Sequence, residues 1–273
     1  MRARALIQLW RLLILAAFFL AWEYGTGILV IREFRLFGVK PLSWVDPFFI
    51  STPSLIVRRF VFLISPQAKV TLWARLAITL QNTFIGFGVG VGSGFLVGLI
   101  LGRNETLARI FEPFIIAVNT LPRIALVPLV TMMFGLGSLS KVIMAWLIVF
   151  FIVFFNTFQG ARSVDRDLVN AARLLGASRL EILRTVVIPS TLAWTFTALT
   201  PSISFALIGV VIGEFIGGDS GIGYLIILSL ATLESADMMV ALLLLAAVGI
   251  TLALGIQMLE RRLLRWQARY QAE

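Results

Sequence analysis

Glu23, Arg123 and Glu214 are charged side chains set within long apolar runs. A carboxylate can serve as a general acid or base or hold a metal, but both tasks call for further carboxylates or an imidazole within reach. Neither acid belongs to a paired-aspartate motif, and the chain has no histidine and no cysteine. That removes thiolate nucleophiles, disulfides, imidazole bases and the commonest zinc ligands together. No catalytic residue and no metal site is expected. An ionisable group at membrane depth is expensive and typically faces a cavity or a partner, which makes Arg123 a candidate for the wall of a solute pathway. Asn119, Asn156 and Glu214 are weaker candidates for the same wall. The competing reading of Arg123 is a residue near a helix end that snorkels to an interface.

The elements that carry these residues follow from composition. Of 273 residues, 59% are hydrophobic and 14% charged, with mean hydropathy +0.98, whereas soluble domains carry roughly 25% charge. Runs of about 20 apolar residues match the hydrocarbon thickness of a bilayer. Six occur, near 12–31, 76–101, 110–136, 142–160, 192–217 and 238–259, predicting an all-α polytopic membrane protein with about six transmembrane helices. The basic start at 1–10 followed by an apolar run invites comparison with a cleaved signal peptide. That run is long, and Trp22, Glu23 and Tyr24 stand where a small-residue cleavage site belongs, so an uncleaved first span is expected.

Basic residues set the orientation. With the N-terminus in the cytoplasm, the inside segments hold Arg2, Arg4, Arg11, Arg103 and Arg109, five arginines over 162–184 and four over 261–269. The outside stretch 32–75 holds seven Lys or Arg, Lys141 edges one short turn, and 217–237 holds none. Both termini are therefore expected in the cytoplasm, with Arg58 and Arg59 counting against the bias. The net charge of +9 is explained by topology, because these residues lie between spans and form no single basic face for nucleic acid. Within the outside stretch, 55–64 alternates apolar and paired basic residues as an interfacial helix does. A structural anchor and a docking surface for an external partner are both open readings of it.

Glycines at 86, 90, 94, 98 and 102, with Gly88 and Gly92 beside them, form a ladder suited to close helix approach. They lack the lysine and hydroxyl of a phosphate loop. Pro113, Pro122 and Pro128 fall in the third apolar run, and each removes a backbone donor, so this span is expected to be bent or broken. Broken helices are tolerated in a bilayer where protein or water surrounds them, which marks this span as a pathway wall.

Residues 161–190 hold five arginines and three acids yet read as helix, turn, helix. The turn is Asn170-Ala171-Ala172-Arg173-Leu174-Leu175-Gly176-Ala177-Ser178-Arg179, followed by Val186-Val187-Ile188-Pro189. Two alanines and a glycine give a thin surface that a partner can approach closely, Gly176 allows a turn at positive φ, and Pro189 suits the first turn of the fifth span.

This segment resembles the EAA signature of ATP-binding-cassette importer permeases, E-A-A-x3-G-x9-I-x-L-P. The spacing is complete, Ala171, Ala172, Gly176 and Pro189 are identical, Val186 and Ile188 are conservative, and Asn170 replaces the leading Glu. Asp167 or Glu181 would have to supply any ion pair lost with that Glu. The resemblance extends over about 75–265 and is closest to nitrate, sulfonate and taurine permeases, through Leu121-Pro122-Arg123-Ile124-Ala125-Leu126-Val127-Pro128-Leu129 and Gly217-Gly218-Asp219-Ser220-Gly221-Ile222-Gly223-Tyr224-Leu225.

The resemblance implies a type I importer permease in the bacterial inner membrane, with two permease subunits, expected to be a homodimer, and two ATPase subunits. It further implies an external solute-binding protein and a small organic or inorganic anion as solute. The turn from Asn170 to Arg179 would couple to the ATPase, and ATP and Mg would bind that partner, with no cofactor on this chain. The implied organisation is an N-terminal helix and external segment over 1–75, a five-span core over 76–265 with the coupling loop at 161–190, and a cytoplasmic tail over 266–273. A membrane prenyl- or acyltransferase is disfavoured by the scattered acids. An ion-coupled secondary transporter is the alternative, but it often shows broken helices in corresponding halves, and only one span is clearly broken here.

Overall fold

The computed structural model describes residues 2–28, 47–68 and 71–264, and among these every regular element is helical. In chain order they are α1 (Arg2–Ile28), α2 (Pro47–Ile50), α3 (Pro53–Ile64), α4 (Leu72–Arg103), α5 (Glu105–Asn119), a 3-10 turn (Arg123–Leu126), α6 (Val127–Phe134) and α7 (Ser138–Arg162). Then come α8 (Arg166–Leu174), α9 (Arg179–Ile182), a π turn (Leu183–Val187), α10 (Ile188–Gly217), α11 (Ile222–Ala231) and α12 (Ser235–Leu263). Five described helices are long and apolar enough to cross a membrane, and there are up to six spans if one bent pair counts as one. The pair is α5 with the 3-10 turn and α6, which meet at 82°. The third apolar run is thus broken as its prolines predict. Pro122 cannot donate to a helix ladder and disfavours helical backbone at Leu121, whereas Pro128 sits harmlessly in the first turn of α6. The last residues of the N-terminal run, 29–31, and the tail 266–273 lie outside the described residues.

Internal contacts divide the chain into two units, Met1–Arg75 with Tyr224–Leu245 and Leu76–Gly223 with Ala246–Glu273. In the first, the interfacial run forms α3, capped by the Thr52 hydroxyl accepting from the Leu55 N–H at 3.3 Å. Glu23 finds its role here: its carboxylate accepts the Ser54 N–H at 2.9 Å and the Ser54 hydroxyl at 2.7 Å, placing negative charge at the N-terminus of α3. Arg59 donates to both carboxylate oxygens of Asp237 and lies 3.1 Å from Glu234. One of the two basic residues that count against the orientation bias is therefore paired with two acids beside the start of α12.

The second unit is built on the glycine ladder. A Cβ on Gly86, Gly90, Gly94, Gly98 or Gly102 would meet α7 at 2.5 to 2.8 Å, at Ala145, Val149, the Phe150 carbonyl, the Phe154 carbonyl and Ala161 in turn. The hydrogen-only side chains let the two backbones touch over four turns. Gly88 and Gly92 face open space. On its other side α7 packs lengthwise against α10, with Ala145, Val149, Val153, Leu199, Ala206 and Val210 forming the buried seam. The Thr157 and Thr195 hydroxyls share a buried 2.9 Å hydrogen bond across it.

Two features depart from expectation. Pro189 lies in the first turn of α10, as expected, but the helix continues on its N-terminal side, so that the apolar element runs over the 39 residues Arg179–Gly217. A proline inside a helix removes a donor and clashes with the carbonyl four residues before, here Thr185. The π turn at Leu183–Val187 widens the helix there and absorbs both defects. The link between the fifth and sixth spans also contains α11, ten apolar residues about 15 Å long, too short to cross a bilayer.

Candidate coupling turn and pathway residues

The segment after α7 is held by local hydrogen bonds. Asp165 caps α8, its carboxylate accepting the Asp167 N–H at 2.8 Å. The helix ends on Gly176, whose φ is +82°. There the Ala177 N–H bonds the Ala172 carbonyl at 3.0 Å and the Gly176 N–H bonds the Arg173 carbonyl at 2.9 Å, the paired closure of a Schellman motif. Ser178 then caps α9 reciprocally with Glu181: the Ser178 N–H donates to the carboxylate at 2.7 Å and the Glu181 N–H to the hydroxyl at 3.3 Å. Glu181 is thereby committed to a cap, not left to replace the motif's missing Glu.

This wiring decides which side chains a partner can touch. Val169 and Ile182 are buried with Leu99, Ala161, Val164 and Val187, and Ala172 and Ala177 pack against that cluster. The small surface expected of Ala171, Ala172 and Gly176 is therefore split: Ala172 faces inward, while Ala171 and Gly176 are exposed. Asn170, Ser178 and Arg179 are exposed too, and Pro189 is half-buried. Leu174 and Leu175 project from the tip with 89% and 88% of their surface exposed. Charged neighbours Arg173 and Arg179 place this tip in water, where two bare leucines on a rigid turn call for a covering partner.

The pathway candidates separate. At the break after α5, the Arg123 guanidinium donates to the side-chain Oδ1 of Asn119 at 2.5 Å and lies 5.5 Å from the centre of the Phe151 ring. Asn156 donates instead to the Ile152 carbonyl of its own helix at 2.9 Å. Glu214 is fully buried. Its carboxylate accepts the Thr79 hydroxyl at 2.8 Å and the Gly223 N–H at 2.8 Å, and the Thr79 oxygen accepts the Ile222 N–H at 2.9 Å. The loop from Gly217 to Gly223 folds over this carboxylate, with Gly221 at φ +95° and no room for a Cβ that would fall on the Glu214 carboxyl atoms. Beside it the buried Lys141 ammonium lies 3.7 Å from Asp219. The exposed Asp219 carboxyl is held below the usual range, first by the Ser220 hydroxyl.

The family model described as "Binding-protein-dependent transport system inner membrane component" matches residues 94–266. The chain belongs to that family.

Relatives of this permease include the taurine transport system permease protein of Escherichia coli (strain K12), 28% identical over 235 residues, covering 85% of this chain and 86% of that one. The riboflavin transport system permease protein of Chloroflexus aurantiacus is 33% identical over 227 residues, covering 83% and 84%. Among solved structures, an amino acid ABC transporter chain matches with TM-score 0.58 at 20% identity, covering 77% of this permease and 97% of that chain. The methionine ABC transporter MetNI in an inward-facing conformation gives 0.56 at 20%, covering 77% and 96%. The architecture is that of an importer permease, and the chain is a membrane-spanning transport subunit.

Sequence reasoning missed Thr79, Lys141 and Glu112. Thr79 and Glu214 are 135 positions apart, and nothing local links them. Glu112 carried a signal, since it is an acid directly before Pro113 inside an apolar half-span.

Proposed function

We propose that the permease docks a separate ATPase on the turn around Leu174 and Leu175, receives solute from an external binding protein, and conducts a small anion past Arg123 and Asn119. Two permease copies enclose the pathway, and ATP with Mg is bound by the ATPase partner. The single observation that carries the reading is the exposed leucine pair on a turn fixed by the Schellman closure and the capping box. Alternating access follows: nucleotide closes the ATPase pair, the docked turns move with it, and the spans reorient. The anion is of the sulfonate class, as in the taurine relative, and Arg123 supports this because its Nε is buried without a hydrogen-bond partner among the described residues. A guanidinium recognises such oxyanions through several donors at once.

With the ATPase and binding protein reconstituted in vesicles, ATP-driven uptake of taurine should be measurable. Arg123→Ala should raise the KM for uptake about 10-fold, the equivalent of roughly 1.4 kcal/mol, while ATPase co-purification stays normal. Unchanged uptake kinetics would remove Arg123 from the pathway. A preference for riboflavin over taurine would reject the anion class and leave the coupling turn standing.

The arginine bias supports cytoplasmic termini. A cysteine at Ser178 should react with an impermeant maleimide only from the cytoplasmic side, and one at Ser220 only from outside. The chain has no native cysteine to compete. Reaction of both from one side would refute the six-span model, and reaction of each from the opposite side would overturn the orientation.

A further inference from the structure

A cleft of about 300 Å³ opens beside α5 and α7, and it contains Glu112 and Gln159 with the rings of Phe154, Phe155 and Phe158. Glu112 lies two turns into α5, about 10 Å from the start of the helix. Ala108, Ile115 and Ile116 of α5 line the same cleft, which puts the carboxylate on the cleft-facing side. Among the described residues no cation pairs with Glu112. The nearest arginine in sequence, Arg109, is taken by Glu105 at 2.9 Å.

The opposite wall is aromatic. Phe154 and Phe158 stack with centroids 5.7 Å apart, and Phe154 meets Phe155 edge-on at 5.2 Å. The Arg162 guanidinium already rests 5.4 Å from the Phe158 ring centre, so a ring of this wall serves as a platform for positive charge. A carboxylate without a counter-ion is costly at membrane depth. Set against aromatic faces and an amide, it has the makings of a site for an organic cation, whose charge meets the carboxylate while its carbon atoms cover the rings. Anions are repelled from this cleft by the same carboxylate, so it is not the place where Arg123 would meet a solute.

We propose that the cleft binds a primary or quaternary alkylammonium group. The group arrives on a small soluble amine or on a phospholipid headgroup, and the test separates the two. Taurine carries a primary ammonium beside its sulfonate, so the test uses amines without a sulfonate and is read apart from the solute assigned above.

The reconstituted complex in phosphatidylglycerol vesicles, which contain no amine, is titrated with ethanolamine and separately with tetramethylammonium, at ionic strength held constant with sodium chloride. The readout is the thermal unfolding midpoint. A saturable rise in the wild type, with the half-saturating concentration increased 10-fold or more in Glu112→Gln, is the expected result for a soluble amine. In a second arm phosphatidylethanolamine replaces phosphatidylglycerol with no free amine added, and a rise that Glu112→Gln lacks assigns the site to the headgroup. Should Glu112→Gln fail to assemble, Phe155→Leu, which removes a ring but keeps the bulk apolar, is read in the same way. No midpoint change in either arm, or equal responses in wild type and variants, overturns the proposal.

Discussion

Leu174→Glu combined with Leu175→Glu should abolish ATP-driven uptake while leaving the permease folded and inserted. Both side chains are almost wholly exposed, so nothing inside the chain loses a contact. The turn itself is held by backbone bonds and by Ser178 and Glu181, none of which the substitutions touch. What is lost is the area a docked ATPase would cover, worth about 1.5–3 kcal/mol for each fully buried leucine. Even the lower figure for two leucines corresponds to a loss of affinity on the order of 100-fold. Co-purification of the ATPase should fall accordingly. Ala172→Arg provides the contrast. Ala172 packs against the cluster of Val169, Ile182 and Val187, so a long charged side chain there should lower the unfolding midpoint as well as uptake. Wild-type coupling in the double leucine variant would show that the ATPase docks elsewhere.

Gly221→Ala should be among the most damaging single-methyl changes in the chain. Its φ of +95° already costs a residue with a Cβ about 1–2 kcal/mol. The added carbon would fall on the carboxyl atoms of Glu214. Moving that carboxylate strips the Thr79 hydroxyl and the Gly223 N–H of their acceptor, at about 1–3 kcal/mol for each buried group left unpaired. The sum is about 3–8 kcal/mol, most of it in a range that point substitutions seldom reach. Gly88→Ala is the internal control, because its Cβ would enter open space, and it should leave the midpoint unchanged within error. Comparable midpoints for the two variants would mean that the loop does not close over Glu214. Adding Glu214→Ala to Gly221→Ala removes the clash, and a destabilisation smaller than the sum of the two single variants would measure the contact directly.

The features legible in the sequence are those written in short-range spacing. The every-fourth-residue glycines announced a helix contact, and each of the five meets α7. Three prolines announced a broken span, and it bends by 82°. Gly176 announced a positive φ, and it has one. Features that depend on distant partners did not show. Glu214 read as an isolated acid because Thr79 lies on another helix and Gly223 beyond an unpredicted loop. Ala172 read as part of a docking face, since composition cannot say which side of a short amphipathic helix its own core occupies. Pro189 read as belonging to a helix's first turn and does so in α10, but the π turn and α9 that carry the helix on before it left no signal in the spacing.

The uninterrupted helix from Arg179 to Gly217 has a mechanical consequence. Its 39 residues make a rod about 58 Å long, rooted at one end in the leucine-bearing turn and ending at the other beneath the loop that wraps Glu214. Displacement of the turn reaches that loop as rigid translation and rotation of a single piece, with no relay of side chains needed between them. The π turn at Leu183–Val187 is the one widened section of this rod, and it sits within two turns of the docking end, where compliance costs the least leverage. A stroke applied below that joint can be taken up partly as bending, and what passes it meets one more missing ladder bond, at Pro201 inside α10, before the far end.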